Sequence, residues 1–407
     1  MSLDNSHKIF FELLKAGLWG GQWPVQEFKS LKVQDSMDWE KVYLLAQEQS
    51  VQGIVLRGIE ELRAKNIELN VPKVLLLQWI GEVQVIEQRN KEMNAFLASL
   101  SEKLKAECIN ALLVKGQGIA QCYDRPLWRA CGDVDYLLDK ENYEKGKKFL
   151  SSIAQKVHNE NEFDEHFSVI LDGWDVELHG SMRSMLPEKT DAFIDKIQKE
   201  AFEQNKYRVW NNNGTEILLP NPDDDVIFVF THILKHFFHY GIGLRQVCDW
   251  CRLIYTYRDS LNYELLESRL RKMGLMSEWK VFYNLASRYL GMPDLDSRLT
   301  CVESATSRHS SNKFGSAHDS IADFMVCDSR FDKKADRVLD FILETGNFGH
   351  NRDNSRYNNT NAIVRGLMSL WRHTCDSFKH SFIFPVDSVR IWCRMFMFGI
   401  CDAMKGK

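Results

Sequence analysis

Proline is scarce in this 407-residue chain, at eight residues, and no uninterrupted apolar run reaches the length of a membrane span. The first shortage removes helix breakers from long stretches and, with apolar residues recurring at helical spacing, predicts a helix-rich protein. The second excludes a transmembrane helix, which needs about 18 or more such residues. Neither sign of charge dominates: 52 Lys and Arg against 56 Asp and Glu leave a formal charge of −4, so no overall basic field points to nucleic acid. No internal repeat and no G-x-x-x-x-G-K-[ST] phosphate loop occurs, and His232-Ile-Leu-Lys-His236 lacks the glutamate of H-E-x-x-H. Cys248 and Cys251 form C-x-x-C inside a helical run, with no second pair at zinc-site spacing. The start, MSLDNSHKIFFELLKAGLWGG, has an early Asp4 and no apolar run of secretory length. The expectation is a cytoplasmic protein whose ten cysteines are reduced thiols.

What is present is ordinary globular composition, 44% hydrophobic and 27% charged, with length for two or three domains. Residues 1–110 read as helices. Asp38 is a candidate N-cap ahead of Val42, Leu45, Val51, Ile54 and Ile59, and after a break at NIELNVP helical periodicity runs for more than thirty residues. From 111 the pattern changes. ALLVKG and CGDVDYLLD read as strands, KENYEKGKKFLSSIAQKV as a helix, and HFSVILDG with WDVELHG as a hairpin turning at Asp172-Gly173. A second hairpin, KYRVWNNNGTEILLP, turns at Asn213-Gly214. Helices resume beyond, with Ser- or Asn-rich loops at 301–320 and 351–361 and a docked terminal helix in IWCRMFMFGICDAM. Residues 362–407 carry seven Lys or Arg against three Asp, a mild basic bias on a solvated surface. The fold expected is mixed α+β in three regions, helical 1–110, an α/β core at 111–220 and helical 221–407.

Gly132-Asp133-Val134-Asp135 is the sharpest local feature. Side chains two apart on a strand share a face, so Asp133 and Asp135 point together, with α-carbons about 6.6–6.8 Å apart. Alone, a D-x-D of this kind reads as a solvated strand edge with two ordinary surface aspartates. In WDVELHG, Asp175, Glu177 and His179 again alternate with apolar Val176 and Leu178. If the two strands are neighbours, Glu177, or failing it Asp175, joins the pair. Three carboxylates on one small sheet suit two Mg²⁺ ions for in-line phosphoryl or nucleotidyl displacement.

These segments resemble the uncharacterised bacterial nucleotidyltransferases of the polymerase-beta-like superfamily. The matching pieces are LLVKG, the stretch from Tyr123 to Arg129 leading into GDVDYLL, and VELH. Similar helical stretches flank them, LLKAGLWG and AQEQSVQGI before and NPDDDVIFVFTHILKHFFHYGIGLRQVCDW after. The likeness implies a minimal nucleotidyltransferase core with a small mixed sheet, in which Asp133, Asp135 and Glu177 hold two Mg²⁺. It implies an NTP as co-substrate and an unidentified hydroxyl-bearing acceptor, with aminoglycoside-like small molecules, sugars, tRNA ends and protein side chains all open; the sequence itself indicates no membrane partner and does not point to nucleic acid. The third carboxylate is then the one placed to take the acceptor's proton. Gly116, with Gly132, belongs where backbone approaches the triphosphate. Two departures stand out: Gln117 replaces the usual small hydroxyl after that glycine, and 17 residues separate Gly116 from Asp133. Lys115 and Arg129 are the substitute phosphate contacts.

Downstream, His232 and His236, and Arg245 and Asp249, stand four apart on helical stretches. Where these pack over the acidic sheet, His236, Arg245 and Asp249, with His179, meet the acceptor; otherwise Arg245 and Asp249 are simply a helix ion pair. Two other functions fit the same residues. One is a nucleotide-binding regulator whose transferase site has decayed, which Gln117 favours. The other is a hydrolase holding Zn²⁺, Mn²⁺ or Fe²⁺ on His232, His236 and Asp249.

Overall fold

The computed structural model describes residues 3–23, 28, 38–158, 165–293, 324–349, 351 and 362–404. It is a mixed α+β protein. Asp4 caps helix α1 (Asn5–Trp19), its Oδ1 accepting from His7 N at 3.0 Å. Asp38 caps α2 (Trp39–Glu48) in the same way through Lys41 N, as expected. The helical run predicted beyond Asp38 is cut in two. Ser50 takes a φ of 55°, Val51 N donates back to Ala46 O at 2.9 Å to close α2, and α3 (Gln52–Ala64) starts afresh, while the buried Gln49 side chain accepts from Leu244 N at 3.0 Å. Helices α1 and α3 cross through glycine. A β-carbon on Gly17 would lie 1.9 Å from Ile54 O, and one on Gly58 1.9 Å from Leu13 O, so only glycine permits this approach.

Helix α4 (Lys73–Ala106) is 34 residues long, matching the long periodic stretch. It buries a single stripe, Trp79, Val83, Asn90, Met93, Leu97, Leu100 and Leu104, at alternating spacings of three, four and seven. Trp79 and Val83 enter the larger of two hydrophobic cores, and Met93 to Leu104 enter the smaller one beneath the sheet. This helix therefore ties the helical scaffold to the sheet.

The sheet has five strands in the order β1-β2-β5-β4-β3. These are β1 (Ala111–Val114), β2 (Val134–Leu138), β3 (Lys156–Val157), β4 (His166–Leu171) and β5 (Trp174–His179). Strands β2 and β5 run parallel and every other pair is antiparallel. Short helix α5 (Gly116–Ala120) follows β1, and α6 (Lys140–Ile153) follows β2. The predicted continuation of α6 to Val157 does not occur. Ala154 is extended, and Gln155 N and His158 N donate to Ile170 O and Ser168 O, so the sheet edge captures the segment as β3. Both hairpin turns form as expected. Asp172 and Gly173 take φ of 51° and 81°, and Asn213 and Gly214 take 52° and 102° between β6 (Tyr207–Asn212) and β7 (Thr215–Pro220).

Between the hairpins lies α7 (Glu188–Glu203). Beyond them come α8 (Pro222–His239), α9 (Leu244–Tyr257), α10 (Tyr263–Met273), α11 (Met276–Leu290) and α12 (Asp332–Thr345). Helices α13 (Ala362–Ser381) and α14 (Pro385–Met404) complete the described chain. The larger core draws on α1 to α3 and on α8, α9, α11 and α12 together, so the two ends of the chain share one interior. The terminal helix is docked there through Ile391, with Arg394 paired to Asp191 at 2.8 Å. The loops expected at 301–320 and, apart from Asn351, at 351–361 lie outside the described residues. No helix among the described residues is long and apolar enough to cross a membrane.

Candidate active site

The parallel pairing of β2 with β5 sets Asp135 directly beside Glu177. Strand alternation then does the rest: Val134 and Tyr136 enter the smaller core, while Asp133 and Asp135 line one cleft of about 350 Å³ with Glu177. Asp135 is buried at the floor and Asp133 is exposed at the mouth. Lys115 follows β1 and caps α5 with a φ of 57°, an unfavourable conformation for a side-chain-bearing residue, and its Nζ donates to Asp135 Oδ1 at 2.8 Å. Gly116 follows with a φ of 41°, and a β-carbon there would meet Cys131 Sγ at 3.3 Å.

Two histidines complete the floor. His179 Nε2 lies 2.8 Å from Asp135 Oδ1 and 3.5 Å from Glu177 Oε2, and His166 Nε2 lies 2.9 Å from Glu177 Oε2. Among the described residues, His166, Glu177 and His179 are the trio whose metal-ligating atoms all lie within 4.8 Å of one another. Sequence reasoning missed His166, although a signal existed. A two-residue turn at Asp172-Gly173 dictates that His166 opposes His179 and Ser168 opposes Glu177, which is the register found.

Burial would raise both floor carboxyls, but cationic neighbours outweigh it. Asp135 is held below its ordinary value by Lys115 and the His179 hydrogen bond. Glu177 is held far below by hydrogen bonds to His166 and His179. Asp133 is pushed up, first by the Asp135 charge. Glu177 is therefore ionised throughout the neutral range, a state suited to holding a cation and unsuited to taking a proton.

The opposite wall comes from α8 and α9. His232 and His236 stand with their Nε2 atoms 3.0 Å apart. Both are held neutral, by burial first and then by the Lys115 charge: His232 lies well below its ordinary value and His236 is lowered to about 3. Arg245 lines the same wall and donates to Ala130 O at 2.6 Å. It is not seen paired with Asp249. Instead Arg129 Nε and Nη2 donate to Asp249 Oδ1 and Oδ2 at 3.0 and 2.6 Å, and Tyr123 Oη donates to Oδ1 at 2.8 Å, all buried. The hydrolase trio of His232, His236 and Asp249 does not assemble, since both Asp249 oxygens are engaged and the three do not form a ligand cluster. Gln117 points away from the cleft, its Nε2 donating to Asn90 Oδ1 at 2.7 Å in the interior. The cleft thus gathers Lys115, Gly116, Arg129, Asp133, Asp135, Glu177, His179, His236, Arg245 and Asp249 from separate parts of the chain. Gly132 does not line it; it is exposed beside Asp133, in open space.

Residues 35–291 match the family described as uncharacterised nucleotidyltransferase. The chain belongs to that family. The family segment spans every cleft residue from Lys115 to Asp249 and ends just after α11. Among solved structures, an antigenic nucleotidyltransferase-like protein from Paracoccidioides brasiliensis aligns at 16% identity, covering 51% of this chain and 92% of that one, with a TM-score of 0.31. No curated protein matches.

Proposed function

We propose that the protein transfers a nucleoside monophosphate from an NTP to a hydroxyl acceptor, with release of pyrophosphate. The observation that carries this reading is the placement of Asp135 and Glu177 side by side on parallel strands, with Asp133 on the same cleft wall, in a chain of the nucleotidyltransferase family. The donor set suits divalent cations: three carboxylates line one cleft, Asp135 and Glu177 side by side on adjacent strands, and Lys115 and His179 now supply the positive charge beside Asp135. Asp133, Asp135 and Glu177 would hold two Mg²⁺. When bound, such ions neutralise the triphosphate and lower the pKa of an attacking hydroxyl.

The chain's own residues then divide the work. Lys115 and Arg245 supply positive charge from opposite sides of the cleft, where negative charge develops on the phosphates. Gly116 lets the backbone approach them. Arg129 acts from behind, because Asp249 holds two of its nitrogens and its role is to fix the loop before Asp133. The neutral His232 and His236 offer hydrogen bonds to the acceptor without attracting anions. The acceptor oxygen attacks the α-phosphorus, the bond to the bridging oxygen breaks, pyrophosphate carries off that electron pair, and the hydroxyl proton leaves to solvent.

Isothermal titration of each NTP as a non-hydrolysable analogue with Mg²⁺ tests the reading. Metal-dependent binding to wild type, lost in Asp133→Ala/Asp135→Ala with the unfolding temperature retained, is the expected result. Failure of every NTP to bind folded wild-type protein refutes it.

A further inference from the structure

We propose that His166, His179 and Glu177 form a nitrogen-rich metal position that takes a transition ion of the Mn²⁺, Co²⁺ or Zn²⁺ class in preference to Mg²⁺. This rests on the reading that the acidic cleft carries metal, and it changes the chemical identity of one of the ions. The wall is not chemically uniform. Asp133 and Asp135 present oxygen only, whereas on the neighbouring strand pair Glu177 stands between two imidazoles brought together by the β4–β5 register.

The spacings suit one ion. Ligands about 2.1 Å from a metal at tetrahedral or octahedral angles are about 3.0–3.4 Å from each other. Here Glu177 Oε2 lies 2.9 Å from His166 Nε2 and 3.5 Å from His179 Nε2, and all three ligand atoms lie within 4.8 Å of one another, close enough to share one ion, with Asp135 Oδ1 2.8 Å from His179 Nε2 beside them. Each ring turns its Nε2 inward. Glu177 and His166 are about a quarter to a third exposed, leaving an open side for water or a phosphate oxygen to complete the shell. Mg²⁺ requires a near-ideal oxygen octahedron and sheds water reluctantly, while imidazole favours the later divalent ions. Two nitrogens and one carboxylate are therefore a poor magnesium site and a good transition-metal site. The rival account is that the two histidines only neutralise Glu177, and it predicts no metal–nitrogen bond.

The test uses the full chain without nucleotide. Pulsed electron paramagnetic resonance of added Mn²⁺ is expected to show nitrogen coupling from coordinated imidazole in wild type, and its absence overturns the proposal without any mutation. By calorimetry, Mn²⁺ is expected to bind at least about tenfold more tightly than Mg²⁺, and His166→Ala to remove most of that preference. A His166→Ala protein that is folded and still binds Mn²⁺ like wild type also overturns it. The two readings fail separately. Nitrogen-coupled Mn²⁺ with no NTP binding leaves the metal position standing and removes the transfer reaction. NTP binding that depends on Asp133, with no nitrogen coupling, does the reverse.

Discussion

Replacing Asp249 with leucine isolates the interaction that anchors the cleft loop to the helical scaffold. Arg129 and Asp249 are 120 residues apart, both side chains are about 5% exposed, and two parallel N–H···O bonds join them. Burial alone would lower the Arg129 pKa, but the Asp249 carboxylate reverses this and raises it, so the guanidinium is charged at every accessible pH. Asp249→Leu leaves that charge buried without its partner, at a cost of about 3–5 kcal/mol, and withdraws the Tyr123 acceptor for about 1 kcal/mol more. Against a typical domain stability of about 5–15 kcal/mol, this is a large fraction. Arg129→Met/Asp249→Leu removes both charges and is expected to recover most of the loss. Urea unfolding followed by tryptophan fluorescence measures all three proteins. A single-mutant loss below about 1 kcal/mol, the range of exposed pairs, would refute the claim that the pair is closed and desolvated.

Gly58→Ala should destabilise by the upper end of the about 1–3 kcal/mol typical of overpacking or beyond, because its β-carbon meets backbone that cannot rotate away; a midpoint unchanged in urea refutes the close crossing. Gln117→Ser should cost about 1–3 kcal/mol through the lost bond to Asn90 and bring no gain in NTP affinity, whereas tighter binding in calorimetry would show that position 117 faces the nucleotide. Glu278 is pushed up to about 8, by burial and then by the Asp387 carboxylate. Its sign is that of a raised group: the folded state keeps a proton the unfolded state has lost, so its contribution declines from about pH 4.5 to about pH 8. Glu278→Gln should flatten the stability profile in that window, and an unchanged slope would count against the assignment.

The legible parts of this protein are the local ones. Asp172-Gly173 and Asn213-Gly214 require left-handed backbone whatever surrounds them, so both hairpins could be read directly. Asp38 caps its helix through bonds three residues away. The D-x-D alternation needed only a strand, and the length of α4 only a 3.6-residue period. Illegible was the place where a distant partner outbids a local preference: the sheet edge claims Lys156 and Val157 from the end of a predicted helix.

The same division runs through the site. Residue order and alternation sufficed to put Asp133 with Asp135 and Glu177 with His179, and the two-residue turn carried the signal for His166 opposite His179 that the sequence reading passed over, because each relation spans one strand or one hairpin. That β2 lies beside β5, that Lys115 reaches Asp135, that Arg129 takes Asp249 from Arg245, and that Gln117 turns inward to Asn90 were decided only when the chain folded. Those contacts join residues twenty or more positions apart. Their energies come from burying charge and amide groups together, which no local propensity records.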